Sequence, residues 1–463
     1  MKIRRVMIAA PKSGSGKTTI TCGLLQLLKN RKEPVRACKC GPDYIDPMFH
    51  EKILGIPSKN LDTFFTGEEK TRELFQKGRS ENEFVVLEGV MGLYDGLGGI
   101  REEGSSYHLA KVTKTPIILV VDAKGMGRSL IPLIAGFLSY DVEHLIRGVI
   151  LNRMSAMYYQ TIKPLLEEEL PVQVIGYLPE ERDCKLGSRH LGLVMPEEIP
   201  NLQMQMQQMA RNMEGTLNIS EILAIADAAG ELEDCKQEKG AKNRLKRDEK
   251  APVIAVAKDE AFCFYYQDNL DLLKAYGAEI RYFSPLWDSE LPKECDGILL
   301  GGGYPELYAK ELSANIRMKE SIRTAFERKM PMVAECGGFL YLHQELQDKE
   351  KNSFPMVGIL PYQAHDTGKL VRFGYIELQE KDGHFLDPEE RIRGHEFHYY
   401  DSEENGGSCV AKKPVTGRTY PCIVEGESYF LGFPHLCYAS SPHFAEAFVK
   451  KATRYHRMNC QSE

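Results

Sequence analysis

No apolar run in these 463 residues approaches the roughly 18 positions a helix needs to cross a bilayer. The longest, Leu130 to Leu138, is broken by Pro132 and Gly136. An excess of basic charge is missing too. The chain has 59 Lys and Arg against 66 Asp and Glu, well mixed, with a net charge of −7, so it carries no electrostatic footprint for nucleic acid. The apolar stretch near Met1 is shorter than the roughly 7 to 15 residues of an export signal and runs into a glycine loop, which makes it a first buried strand. Cysteine spacing is uninformative: twelve are scattered, and no second pair joins Cys38 and Cys40 to make a zinc site. The thiols are expected to be small buried hydrophobes in a reducing cytoplasm. What remains, 43% hydrophobic and 27% charged residues, is an ordinary globular composition at the length of two or three domains. The expected partners are small molecules, with neither nucleic acid nor membrane; oligomeric state is not legible.

Residues 231–250 carry 13 charges in 20 positions and read as a linker. Before it, short apolar runs recur between helical patterns: Arg5 to Ala10, Val35 to Cys40, Phe84 to Val90, Pro116 to Asp122, Gly148 to Asn152 and Val172 to Leu178. After it the pattern restarts at Val253 to Ala257, Ile280 to Phe283, Gly297 to Leu300 and Pro331 to Ala334. Continuous apolar strands alternating with helices indicate parallel sheets. The expectation is an α/β protein of two tandem domains, 1–230 and 251–463.

Directly after the first strand stands Pro11-Lys-Ser-Gly-Ser-Gly-Lys-Thr-Thr19, followed by the helical pattern Ile20 to Leu28. The segment reads as a phosphate loop. Backbone N–H groups from Ser13 through Thr19 turn toward a polyphosphate, Gly14 and Gly16 permit the turn, Lys17 reaches the terminal phosphates, and Thr18 offers a hydroxyl to Mg2+. Pro11 stands where the common pattern has glycine, and the extra Lys12 resembles the loop of ParA and MinD type ATPases. Asp43 and Asp46 in Gly41-Pro-Asp-Tyr-Ile-Asp-Pro47 follow the second strand, and Glu88 ends the third, where an acid completes the magnesium site of phosphate-loop enzymes. Magnesium-ATP is the expected ligand.

The segments GPDYIDPMFH and EGVMGLYDG resemble those of the cobyrinate a,c-diamide synthases, whose synthetase domain is related to dethiobiotin synthetase, and the resemblance covers essentially the whole chain. It implies that Thr18, Asp46 and Glu88 surround Mg2+, that Asp43 serves the carboxylate-activating site, and that Asn152 contacts the nucleotide base.

In the second half, Pro331-Met-Val-Ala-Glu-Cys-Gly-Gly-Phe339 runs an apolar strand into Cys336, two glycines and a helical pattern from Phe339 to Leu346. A nucleophile on such an elbow is exposed at a positive helix end, which is expected to lower the thiol pKa. Backbone amides of Gly302, Gly303 and Gly337 are candidates for an oxyanion hole. These elements resemble class I glutamine amidotransferases, of flavodoxin-like fold, which release ammonia from glutamine. The resemblance assigns His435 as the base; where the pattern commonly has a second histidine two residues on, this chain has Cys437. In Gly394-His-Glu-Phe-His-Tyr-Tyr400, Glu396 or His398 is expected to support the base or a domain contact.

Carboxylates do not react with ammonia in water until they are activated, and the two halves supply activation and ammonia. The implied reaction is ATP- and glutamine-dependent amidation of the a and c acetates of cobyrinate in anaerobic cobalamin synthesis. Hydrogenobyrinate and nickel sirohydrochlorin are alternative substrates. Rival readings are a partitioning-type ATPase with an inactive second domain, and a glutaminase with a regulatory nucleotide domain.

Overall fold

A computed structural model describes residues 2–78, 82–180, 188–189, 192–193, 199, 201–235 and 250–460. The chain divides into two compact units, Met1–Gln237 and Glu238–Glu463. No described helix is long and apolar enough to cross a membrane.

Unit 1 is built on a sheet of seven strands: β1 (Arg4–Ala9), β2 (Val35–Cys40), β3 (Ser58–Leu61), β4 (Phe84–Glu88), β5 (Ile117–Asp122), β6 (Ile146–Asn152) and β7 (Gln173–Leu178). They lie in the order β3-β2-β4-β1-β5-β6-β7, and every neighbouring pair is parallel. Parallel neighbours need crossovers, supplied by helices such as Lys17–Asn30, Thr63–Gln76 and Ala156–Glu169. The central strands are apolar throughout because they are covered on both faces; Val6 to Ala9 and Phe84 to Leu87 are fully buried. The six apolar runs of the sequence each become a strand. The edge strand β3 is not among them, since Ser58-Lys-Asn-Leu61 is short and mostly polar. Its Asn60 side chain holds the carbonyls of Gly41 and Asp43, at 2.9 and 2.6 Å, and so fixes the loop that follows β2.

Most of the charged linker, 236–249, lies outside the described residues. Its first residues lie on unit 1: Leu232 is buried, and Gln76 Nε2 donates to the Glu233 carbonyl at 2.8 Å.

Unit 2 has a six-stranded sheet in the order Glu279–Phe283, Val253–Ala257, Gly297–Leu300, Met332–Glu335, Tyr429–Gly432, Val424–Gly426. All pairs are parallel except the last. The four runs expected after the linker occupy its first four places. A five-stranded antiparallel sheet, not expected from the sequence, joins Thr419–Cys422, Cys409–Lys412, Arg372–Glu380, Ile392–His398 and His435–Leu436. The helix expected over Phe339 to Leu346 is corrected as well. It spans only Gly337–Tyr341 and gives way to a strand, His343–Gln347. Buried His343 explains the stop: its ring bonds the Phe339 carbonyl at 2.8 Å and the Ser402 hydroxyl at 2.7 Å, while Leu346 is in register with Phe354 and Ala364.

Candidate active sites

The first site sits at the carboxyl ends of β1, β2 and β4. Gly16 precedes the helix Lys17–Asn30 with φ of +96°, a conformation open to glycine without cost. A Cβ there would also lie 2.3 Å from Asn152 Nδ2. Asn152 Nδ2 donates to the Ser15 carbonyl at 2.8 Å. Its amide is thus seated on the phosphate loop. Lys12 and Ser13 are exposed and Thr19 is half-buried; the Lys12 carbonyl accepts from Ser15 Oγ at 3.0 Å. Lys17 is buried, and its Nζ donates to the carbonyl of Met91 in the EGVMGLYDG segment. Burial first, then neighbouring Lys39, push its ammonium down to about 8.

Glu88 is the hub of the site and is fully buried. Oε1 accepts from Thr18 Oγ1 at 2.5 Å and lies 3.2 Å from Lys39 Nζ; Oε2 lies 3.2 Å from His50 Nε2. Lys39 also pairs with Asp46. Parallel register explains the meeting, because Lys39 of β2 stands opposite Glu88 of β4. Burial opposes charge on Glu88, but Lys39, His50 and Thr18 outweigh it and hold the carboxyl below the usual range. Asp46 is pushed well up by burial and by Glu88. Thr18, Asp46 and Glu88, expected together, are brought together. A hydroxyl and two carboxylates are hard oxygen donors of the kind Mg2+ takes, so the donor set fits that ion. Asp43 is placed differently: its carboxylate caps the backbone N–H of Ile45 at 2.9 Å in a local turn.

Lys39 and His50 were missed by sequence reasoning. Lys39 had a signal, a lysine within the buried strand Val-Arg-Ala-Cys-Lys-Cys. His50 stands in a π-helical turn, Phe49–Ile53, that no periodicity announces.

In unit 2, Cys336 follows the central strand with φ of +46° and ψ of −102°, a strained conformation for a residue with a side chain. Its N–H donates to the Gly432 carbonyl at 2.8 Å, which ties it to the strand leading to His435. The three glycines converge here. A Cβ on Gly302 would lie 2.4 Å from His435 Cε1, and one on Gly337 2.9 Å from the Gly303 amide nitrogen. The backbone of Cys336, the His435 ring and the three glycines are therefore gathered at one end of the sheet. The low thiol pKa expected from a helix end is overturned. The helix has five residues, and burial, followed by Glu306, pushes the Cys336 thiol up.

Burial also pushes His435 down to about 3, with His398 adding to it. Glu335, which the sequence reading passed over, is buried; its Oε2 is 3.9 Å from His435 Nδ1, and Tyr438 Oη donates to Oε1 at 3.4 Å. A carboxylate closing an apolar strand was its signal. Burial pushes Glu335 up to about 8 against hydrogen bonds from Leu436 and Tyr438. Of the GHEFHYY segment, His395 stacks on His435, centroids 4.9 Å apart and planes at 18°. Glu396 turns to Arg372, Lys413 and Tyr420. His398 stacks on Phe433 and bonds the Tyr400 carbonyl.

Known families match both units. Residues 6–194 match the CobQ/CobB/MinD/ParA nucleotide binding domain, and residues 253–419 match the CobB/CobQ-like glutamine amidotransferase domain. The protein named cobyrinate a,c-diamide synthase in Caldanaerobacter subterraneus subsp. tengcongensis is 38% identical over 98% of this chain and 99% of its own. The protein of the same name in Dehalococcoides mccartyi is 37% identical over 97% and 98%, and that in Listeria innocua 40% identical over 88% and 89%. With the two sites in place and identity of this extent along nearly its whole length, the chain belongs to the cobyrinate a,c-diamide synthase family.

Proposed function

We propose that this chain converts the a and c acetate carboxylates of cobyrinate into amides, using ATP for activation and glutamine as the nitrogen source. The observation that carries the reading is that one chain holds both a phosphate loop joined to a buried carboxylate, Thr18 to Glu88 at 2.5 Å, and a cysteine whose neighbour Gly337 packs on Gly302 and Gly303, the first of which lies against the His435 ring.

At the first site the substrate carboxylate attacks the γ-phosphorus of ATP and ADP leaves, giving an acyl phosphate; ammonia then attacks the acyl carbon and phosphate departs. Lys17 and the amides of Ser13 to Thr19 hold the phosphates in this reading, and Asn152 stands beside them, where a base contact is within its role. Thr18, Glu88 and Asp46 would hold Mg2+, which would supply neutralisation of phosphoryl charge. Lys39 lies between the two carboxylates, where its ammonium adds a fixed positive charge to the site. Asp43 shapes the loop that presents Asp46 and so lies one step behind the chemistry.

At the second site His435 removes the Cys336 proton as sulfur attacks the carboxamide of glutamine. The buried thiol is a proton donor at rest, so deprotonation and attack are coupled. Amides of Gly302, Gly303 and Gly337 receive the oxyanion, the imidazolium protonates the departing ammonia, and water releases glutamate from the thioester. A cytoplasmic setting suits both ATP and a reduced thiol.

The test is incubation of the full chain with ATP, Mg2+, glutamine and, in turn, cobyrinate, hydrogenobyrinate and nickel sirohydrochlorin, read by product mass. Cobyrinate is expected to gain two amides. Turnover of either other macrocycle with none of cobyrinate overturns the substrate assignment.

A further inference from the structure

We infer that Glu335, the residue immediately before the thiol, positions His435 by accepting a hydrogen bond from its Nδ1–H, so that Nε2 is the atom that takes the proton of Cys336. The inference rests on the reading of Cys336 as nucleophile and adds a third side chain to that pair. Three observations support it.

First, strand geometry aims the group. Glu335 is the last residue of Met332–Glu335 and stands in register with Gly432 of Tyr429–Gly432, three residues before His435. Backbone pairing therefore carries its carboxylate toward the imidazole. Its Oε2 lies 3.9 Å from Nδ1, within ion-pair range and longer than a hydrogen bond. Catalytic hydrogen bonds are often this long until substrate closes the site.

Second, the carboxylate is itself held. Tyr438 Oη donates to Oε1 at 3.4 Å, and Glu335 is 7% exposed. An acidic side chain buried at a strand end, beside an imidazole and with no lysine or arginine ion pair among the described residues, has little structural use. Third, Glu396, the acid of the neighbouring strand Ile392–His398, is committed elsewhere, since it is engaged by Arg372, Lys413 and Tyr420. His395 fixes the tilt of the His435 ring by stacking. A stacked ring can still rotate in its own plane, and an acceptor at Nδ1 removes that freedom.

Balance requires one proton at each step. Cys336 gives its proton to Nε2, the ring becomes imidazolium, and Nδ1–H stays on the ring facing Glu335. That interaction strengthens with charge, so Glu335 assists the transition state more than it assists glutamine binding.

The experiment measures glutamine hydrolysis by the full chain above pH 8, where the Glu335 carboxyl is ionised, together with the rate at which iodoacetamide alkylates Cys336, followed by peptide mass. Glu335→Gln is expected to lower kcat about tenfold or more with KM unchanged, and to slow alkylation in parallel. Glu335→Asp, which keeps the carboxylate on a shorter arm, is expected to recover part of both. Wild-type kcat and alkylation in Glu335→Gln, or a Glu335→Asp no better than it, overturn the inference. If Glu335→Gln melts without a cooperative transition, Tyr438→Phe is the substitute; it is expected to lower both quantities, and unchanged values count against the role. Cys336→Ala runs alongside. If that variant hydrolyses glutamine, the nucleophile reading fails, whatever Glu335 does.

Discussion

Individual side chains carry the chemistry, and the buried carboxylates show most directly how. Glu88 shares one oxygen between Thr18 and Lys39 and gives the other to His50. Glu88→Gln keeps the shape and removes the charge. Amidation from either glutamine or ammonium is expected to fall at least about 100-fold, while glutamine hydrolysis persists; retention of full ammonium-dependent synthesis contradicts the assignment. Glu335 makes a second prediction, in stability. Burial raises its folded-state pKa to about 8, above the roughly 4.3 of an unfolded glutamate. Between those values the folded chain binds the extra proton, so this group stabilises fully below the lower value and its contribution is lost as pH rises toward 8. Relative to Glu335→Gln, the wild-type melting midpoint should fall steadily from pH 5 to pH 8. A constant difference across that range means that Glu335 is charged throughout. Several of these residues were legible in the sequence, since a lysine loop, a carboxylate ending a buried strand and a cysteine before two glycines each break the local apolar pattern. Lys39 and Glu335 break it in the same way but belong to no spacing that marks a phosphate loop or a nucleophile elbow. His50 closes the segment GPDYIDPMFH, but nothing in its local pattern marks it as a partner of Glu88.

Secondary-structure elements decide where those side chains meet. Six apolar runs in unit 1 and four in unit 2 were readable as strands, because a strand covered on both faces must be apolar along its length. Strands that face solvent on one side or lie at an edge have no such uniformity, and the polar β3 and the antiparallel strands between Arg372 and Leu436 escaped for that reason. The false extension of the helix after Cys336 has a different cause: Phe339 to Leu346 has helical spacing, but sheet pairing of His343–Gln347 overrides it. Close approach of elements makes its own prediction. Gly302 leaves no room for a Cβ, which would lie 2.4 Å from His435 Cε1. Gly302→Ala is expected to displace the ring and lower glutamine hydrolysis on the order of 100-fold, with ammonium-dependent synthesis retained. Wild-type glutaminase activity in that variant would place His435 outside the mechanism.

Across the whole molecule, two chemistries are assigned to two units, and the sequence contains one phosphate loop and one elbow cysteine for a product with two new amides. One site must act twice. The a and c acetates occupy different places on a rigid macrocycle, so the substrate has to reorient between activations. A monoamide is expected to accumulate in solution before the diamide; diamide from the first turnover, unaffected by a chase of fresh substrate, points to processive action. The separation of labour itself is tested most directly by Cys336→Ala, assayed with cobyrinate, ATP and Mg2+ and supplied with either glutamine or ammonium, the products read by mass. The account predicts no amide from glutamine and normal diamide from ammonium. Loss of both activities in a folded variant, or retention of the glutamine reaction, contradicts it.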